Sequence, residues 1–186
     1  MGALVERNAN GTFEMKCSVT LITSKYVLTA AHCVEYGDIK TDFKVYLNES
    51  DYPNEEKEQG RIVRKLKKAN YHPRYILKRK PLYYDLAVLE LDQEVEINDK
   101  TFPICLPTEK HAGEIRTNRA ATIFSYGTQD KSEVYTNIKS TAFITQDICE
   151  QRFNVPGSNK VRRFHESAIP TGLNNGLTCT DARVSH

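Results

Sequence analysis

The chain predicts an all-β fold, on three observations. Short runs rich in β-branched and aromatic residues recur at strand length, turn-forming residues separate them, and helical 3.6-residue periodicity is weak almost throughout. In order, the runs lie at residues 2–5, 13–15, 19–22, 26–28, 43–47, 86–89 and 121–124. Asn10-Gly11, between the first two, predicts a hairpin with a two-residue turn, because both residues tolerate positive φ. Residues 29–34 carry a short helical spacing, and Asp147 is placed to cap a turn over 146–153 that holds Cys149. A polar stretch at 108–119, containing Gly113, reads as the connector between an N-terminal half, 1–107, and a C-terminal half, 120–186.

Composition bounds the function. Of 186 residues, 39% are hydrophobic and 27% charged, which is enough apolar surface for a packed core. A net charge of +2 gives no global electrostatic reason to expect nucleic acid. No apolar run approaches the ~20 residues of a membrane span, and the first residues lack the apolar core of an export signal. Neither a nucleic-acid nor a membrane partner is expected, and no metal or cofactor. Residues 49–58 concentrate Glu49, Asp51, Glu55, Glu56 and Glu58 around Pro53; without EF-hand spacing they read as a solvated acidic loop. Residues 61–80 then carry nine Lys or Arg and no acid, read as a polar edge of strands and loop. If that block binds anything, it is a polyanion, with affinity that falls as salt rises.

Cys17, Cys33, Cys105, Cys149 and Cys179 are an odd number, leaving the pairing of any two bridges open. Asn10-Gly11-Thr12 and Asn48-Glu49-Ser50 are glycosylation sequons, making Asn10 and Asn48 acceptors if the protein is secreted. Together these lean towards an extracellular protein, and residue 1 is then not expected to be the natural start of the working protein.

The most specific segment runs from Cys17 to Thr29-Ala30-Ala31-His32-Cys33. A histidine beside a cysteine is ordinarily a core or surface residue, and neighbours on so tight a turn do not readily share a metal ion. The five-residue motif with its preceding cysteine resembles the chymotrypsin-like (trypsin-like) serine endopeptidases. Three further segments resemble theirs: Asp85-Leu86-Ala87-Val88-Leu89, the connector Pro103-Ile104-Cys105-Leu106-Pro107, and Ala121 to Gly127. The resemblance implies two antiparallel six-stranded β-barrels in one peptidase domain, acting on protein or peptide substrates. It implies bridges Cys17 to Cys33 and Cys149 to Cys179, with Cys105 joined to a propeptide or light chain. It also implies that His32 is the general base and acid and that Asp85 orients it.

Departures accompany the match. The family's nucleophile lies in G-D-S-G-G soon after the cysteine matching Cys179, yet Ser185 has no glycine beside it and is not assigned. Ser18-Val19 stands where paired glycines are usual, Tyr84 where asparagine is common, and Ser125-Tyr126 where a tryptophan-containing turn is. The reading is therefore a fragment of a secreted serine endopeptidase, its second barrel incomplete, inert without its serine. The alternative is a non-catalytic homologue serving as a binding module or cofactor for other proteases.

Overall fold

The computed structural model describes residues 1–48, 51–52, 60–77, 83–108, 122–128, 135–141, 169–173 and 176–180. The turn expected at 146–153, Cys149, Ser185 and nearly all of the connector at 108–119 lie outside these residues. The chain divides into two compact units. The first holds Met1–Cys105 and Ser125–Ile138, the second Leu106–Phe124 and Lys139–Ser185.

The strands are β1 (Gly2–Arg7), β2 (Phe13–Leu21), β3 (Tyr26–Thr29), β4 (Phe43–Leu47), β5 (Asp51–Tyr52), β6 (Ile62–Tyr71), β7 (Ala87–Leu91), β8 (Thr122–Thr128), β9 (Tyr135–Thr141), β10 (Ile169–Leu173) and β11 (Gly176–Thr180). A single 3-10 turn, η1 (Ala31–Val34), is the helical element among the described residues. Six strands close an antiparallel barrel in the order β1-β2-β3-β7-β6-β4, with β4 returning to β1. Closure follows from the alternation of each strand. On β4, Phe43, Val45 and Leu47 turn inward and are buried while Lys44 and Tyr46 are half-buried outside, and on β7 Ala87, Leu89 and Leu91 do the same. These side chains pack with Leu4, Val19, Leu21, Val27 and Leu66 into one core. β1 begins with a glycine for steric reasons. A Cβ at Gly2 would sit 2.6 Å from the Tyr46 carbonyl oxygen and collide with the Leu47 side chain.

Outside the barrel, β5, β9 and β8 form a three-stranded sheet, and β10 pairs with β11 in the second unit.

Two expectations are corrected. The first hairpin is not closed by a two-residue turn. Asn8 and Thr12 bracket a three-residue loop in which only Gly11 has positive φ (85°), and the Asn8 side chain accepts the amides of Asn10 and Thr12 at 3.0 and 3.1 Å. An asparagine that supplies its own acceptor stabilises the longer loop. Nor is the basic block a sheet edge. Its strand, β6, lies between β4 and β7 in a closed wall, where no edge exists. Cationic residues on its outer face mask a strand that the pattern of the sequence does not reveal.

Leu89 is fully buried in the core. Leu89→Ala is expected to lower unfolding free energy by about 2–5 kcal/mol in a urea titration, through lost burial and the cavity left behind.

Candidate active site

The barrel register brings the site together. β3 and β7 run antiparallel with Thr29 opposite Ala87. The chain leaving β3 and the chain entering β7 therefore emerge at the same end of the barrel, so His32 and Asp85 meet although 53 residues separate them.

Each arm is held locally. Thr29 donates its hydroxyl to the Ser18 carbonyl at 3.0 Å, a buried bond that ties the end of β3 to β2. Ala30 is extended, and the chain then tightens into η1, with the Cys33 amide donating to the Ala30 carbonyl at 3.2 Å. Small side chains let this turn pack closely. Ala31, Cys33 and Val34 are buried, while the His32 ring stays about a quarter exposed. A disulfide from Cys17 on β2 to Cys33 staples the turn. Closing a loop of that length contributes about 3 kcal/mol by restricting the unfolded chain.

On the other arm, Tyr84 lies in the left-handed region at φ 56°. A side chain there costs roughly 1–2 kcal/mol, which is why asparagine, tolerant of that region, suits the position. Tyr84 has compensation: its ring stacks on His72 at 4.9 Å and its hydroxyl accepts from Arg74 Nη1 at 3.0 Å. The Leu86 amide donates back to the Tyr84 carbonyl at 2.7 Å, folding the chain sharply about Asp85.

Asp85 is 5% exposed, and both carboxylate oxygens are used on one residue. Oδ1 accepts the His32 backbone amide at 2.8 Å, and Oδ2 lies 2.6 Å from His32 Nδ1. Burial pushes the Asp85 carboxyl up, but the hydrogen bonds from the His32 ring and amide, the charge on the ring and the Ala31 amide outweigh it and hold the group below its usual value. The other ring nitrogen, Nε2, is 3.7 Å from Cys33 Sγ. Cys17, His32 and Cys33 cluster closely, yet both sulfurs are spent in the disulfide and neither is a thiolate ligand.

The sequence reading missed two aromatic residues beside the pair. Tyr71 donates to the Val34 carbonyl at 2.9 Å and stacks on Tyr75. Burial, then the Glu35 and Asp85 carboxylates, push the Tyr75 hydroxyl well above the usual range, so it stays protonated. Tyr71 and Tyr75 flank His72-Pro73-Arg74, but nothing in that spacing alone points to η1. Ser18 also gains a role: its hydroxyl accepts the Tyr126 amide at 3.1 Å, and Tyr126 covers Ala3 and Val5 in a small second cluster.

The other sequence-selected residues lie elsewhere. Cys105 is an exposed free thiol, flanked by exposed Ile104 and Leu106. Asn10 is exposed in the first hairpin loop. Asn48 is half-buried and its Nδ2 donates to the Gly60 carbonyl at 2.8 Å. Cys179 is on β11, its side chain outside the described residues, as are the partner assigned to it, Cys149, and most of the acidic block.

A closed antiparallel barrel with a disulfide-stapled turn and a histidine–carboxylate pair at its end defines a class of β-barrel hydrolases. Within that class the chain belongs to the trypsin family, whose family model, described as Trypsin, matches residues 3–183. Its members are hydrolases acting on peptide bonds. Serine protease 7 of Drosophila melanogaster is 32% identical over 136 residues, which is 67% of this chain and 34% of that protein. Serine protease filzig of the same organism is 29% identical over 166 residues, 87% of this chain and 9% of the relative. Venom serine protease 34 of Apis mellifera is 30% identical over 95 residues, 50% of this chain and 23% of the relative. The chain thus spans 9% to 34% of the length of these relatives.

Asp85 sets a pH dependence of stability. Because its folded value is lowered, its contribution is fully present above the unfolded value near 3.8 and is lost as pH falls through the folded value. Urea midpoints of the parent chain should therefore drop steeply between about pH 5 and pH 2, and Asp85→Asn should have a lower midpoint at pH 7 and a shallower acid slope. An unchanged acid slope in the variant would contradict this.

Proposed function

We propose that this chain is the histidine- and aspartate-bearing part of a secreted trypsin-like serine endopeptidase, with His32 as general base and acid and Asp85 as its orienting carboxylate. The observation that carries the reading is the double grip of Asp85 on His32, 2.8 Å to the amide and 2.6 Å to Nδ1. A carboxylate at Nδ1 keeps a proton there and leaves Nε2 as the acceptor. Nε2 then takes the proton of a serine hydroxyl as that oxygen attacks a peptide carbonyl, and returns it to the leaving amine. Asp85 stabilises the imidazolium formed between the two steps. Its lowered proton affinity suits that role, since it stays ionised while the ring is charged.

Ser185, in Arg183-Val184-Ser185-His186, lacks the glycines whose amides would bind the developing oxyanion. In this reading the nucleophile is not among the 186 residues, and the chain alone does not turn over substrate. Secretion is supported by the Cys17–Cys33 disulfide and by relatives named as venom proteases. The exposed thiol of Cys105 in its apolar surroundings supports a bridge to a propeptide or light chain.

The test has two arms. The purified 186-residue chain is expected neither to cleave a panel of fluorogenic peptides nor to be labelled by a fluorophosphonate, and either signal would overturn the assignment. In a protein that continues to a G-D-S-G-G serine, both signals should be present, and His32→Ala should lower turnover by up to about a millionfold, as in subtilisin. A replaced serine at that place would leave the non-catalytic homologue as the correct reading.

A further inference from the structure

Two sulfurs and an imidazole nitrogen gather at the stapled turn. The ligand atoms of Cys17, His32 and Cys33 all lie within 4.8 Å of one another. Cys33 follows His32 directly, and adjacent residues seldom face one ion, yet in η1 the ring is placed with Nε2 only 3.7 Å from Cys33 Sγ. Zinc binds sulfur at about 2.3 Å and imidazole nitrogen at about 2.0–2.1 Å, so its tetrahedral ligands stand roughly 3.5–3.8 Å apart. The Nε2 to Sγ spacing already meets that requirement. In the oxidised chain the two sulfurs are spent on each other.

We propose that the reduced chain carries a zinc site here, with Cys17 Sγ, Cys33 Sγ and His32 Nε2 as ligands and the fourth position left for water. A ligating histidine is oriented by a carboxylate on its other nitrogen. Asp85 is already in that place, with Oδ2 2.6 Å from Nδ1 and Oδ1 on the His32 amide at 2.8 Å. Both cysteines are buried, where bare thiolates are costly, and a dication neutralises the pair. The quarter-exposed His32 ring gives the ion a way in.

The chemistry balances with a dithiol as reductant. The S–S bond takes up two electrons and two protons as the dithiol closes to its own disulfide, and zinc then displaces both thiol protons to water. A chain is synthesised reduced, and the bridge closes only in an oxidising compartment. With its lone pair on zinc, Nε2 is no longer a proton acceptor, so the histidine–aspartate pair is silent until the bridge forms. That consequence alone rests on the role proposed for His32; the metal site does not.

The intact 186-residue chain would be reduced with dithiothreitol, freed of it by gel filtration without oxygen, and titrated with Co²⁺, a coloured tetrahedral stand-in for zinc. One equivalent should give the visible bands of a tetrahedral ion and a thiolate charge-transfer band, and added zinc should bleach both. The oxidised chain should give neither. Cys17→Ser should bind more weakly with a smaller charge-transfer band; it is no less bridged than the reduced parent, which keeps the comparison fair. Asp85→Asn should bind about 10- to 100-fold more weakly through lost orientation of the ring, and His32→Gln, which removes a ligand, should lose more. Cys105→Ser and Cys149→Ser/Cys179→Ser should titrate like the parent. Absence of a tetrahedral spectrum in the reduced chain, or a spectrum that survives Cys17→Ser or His32→Gln unchanged, would overturn the proposal. So would the same spectrum from the oxidised chain, or its loss in Cys149→Ser/Cys179→Ser, which would place the ion elsewhere.

Discussion

The site depends on one register, the antiparallel pairing of β3 with β7 that sets Thr29 opposite Ala87. A slip of one residue would turn Val27 and Leu89 out of the core, so the apolar interior and the His32–Asp85 contact are specified by the same alignment. Once the strands are paired, Asp85 has little freedom. A sharp bend delivers it to the mouth of η1, and its two oxygens close on the amide and ring of one residue. Hydrogen bonds to a charged group contribute roughly 1.5–3 kcal/mol each. They are formed by a carboxylate removed from water, so their geometry resists relaxation. The Cys17–Cys33 bridge secures the turn from the β2 side.

Much of this was legible in the sequence, unevenly and for physical reasons. The Cys17–Cys33 bridge and the meeting of His32 with Asp85 were legible only through the resemblance of their local motifs to a family, since the residue types alone left the cysteine pairing open. The all-β class and most barrel strands were legible from alternation. β6 was hidden, since Lys65, Lys67 and Lys68 on its outer face and the slip at Lys67 break the period of two that would have marked it. The first loop was misjudged because the Asn8 side chain, outside the Asn-Gly pair, decides its length. Tyr71 and Tyr75 were illegible for another reason: their role comes from packing against η1 and the site, a relation between segments far apart in the chain.

Departures from the family pattern carry their own compensation. Tyr84 occupies a backbone conformation suited to asparagine, and its stacking on His72 and bond to Arg74 offset the strain. Ser18, where glycine is usual, uses the added hydroxyl to accept the Tyr126 amide. In both places a substitution that sequence comparison marks as a loss is a new contact in the folded protein.

The Ser18–Tyr126 bond also has a consequence in time. β1, β2 and β4 are complete once Leu47 has been added, and the last barrel strand, β7, once the ribosome has passed Leu91. The residue that covers Ala3 and Val5 and donates to Ser18 comes 35 residues later in the chain. At ordinary synthesis rates that interval is roughly two to seven seconds. During it, the nascent barrel shows an apolar patch on one side, a window in which a chaperone has something to hold.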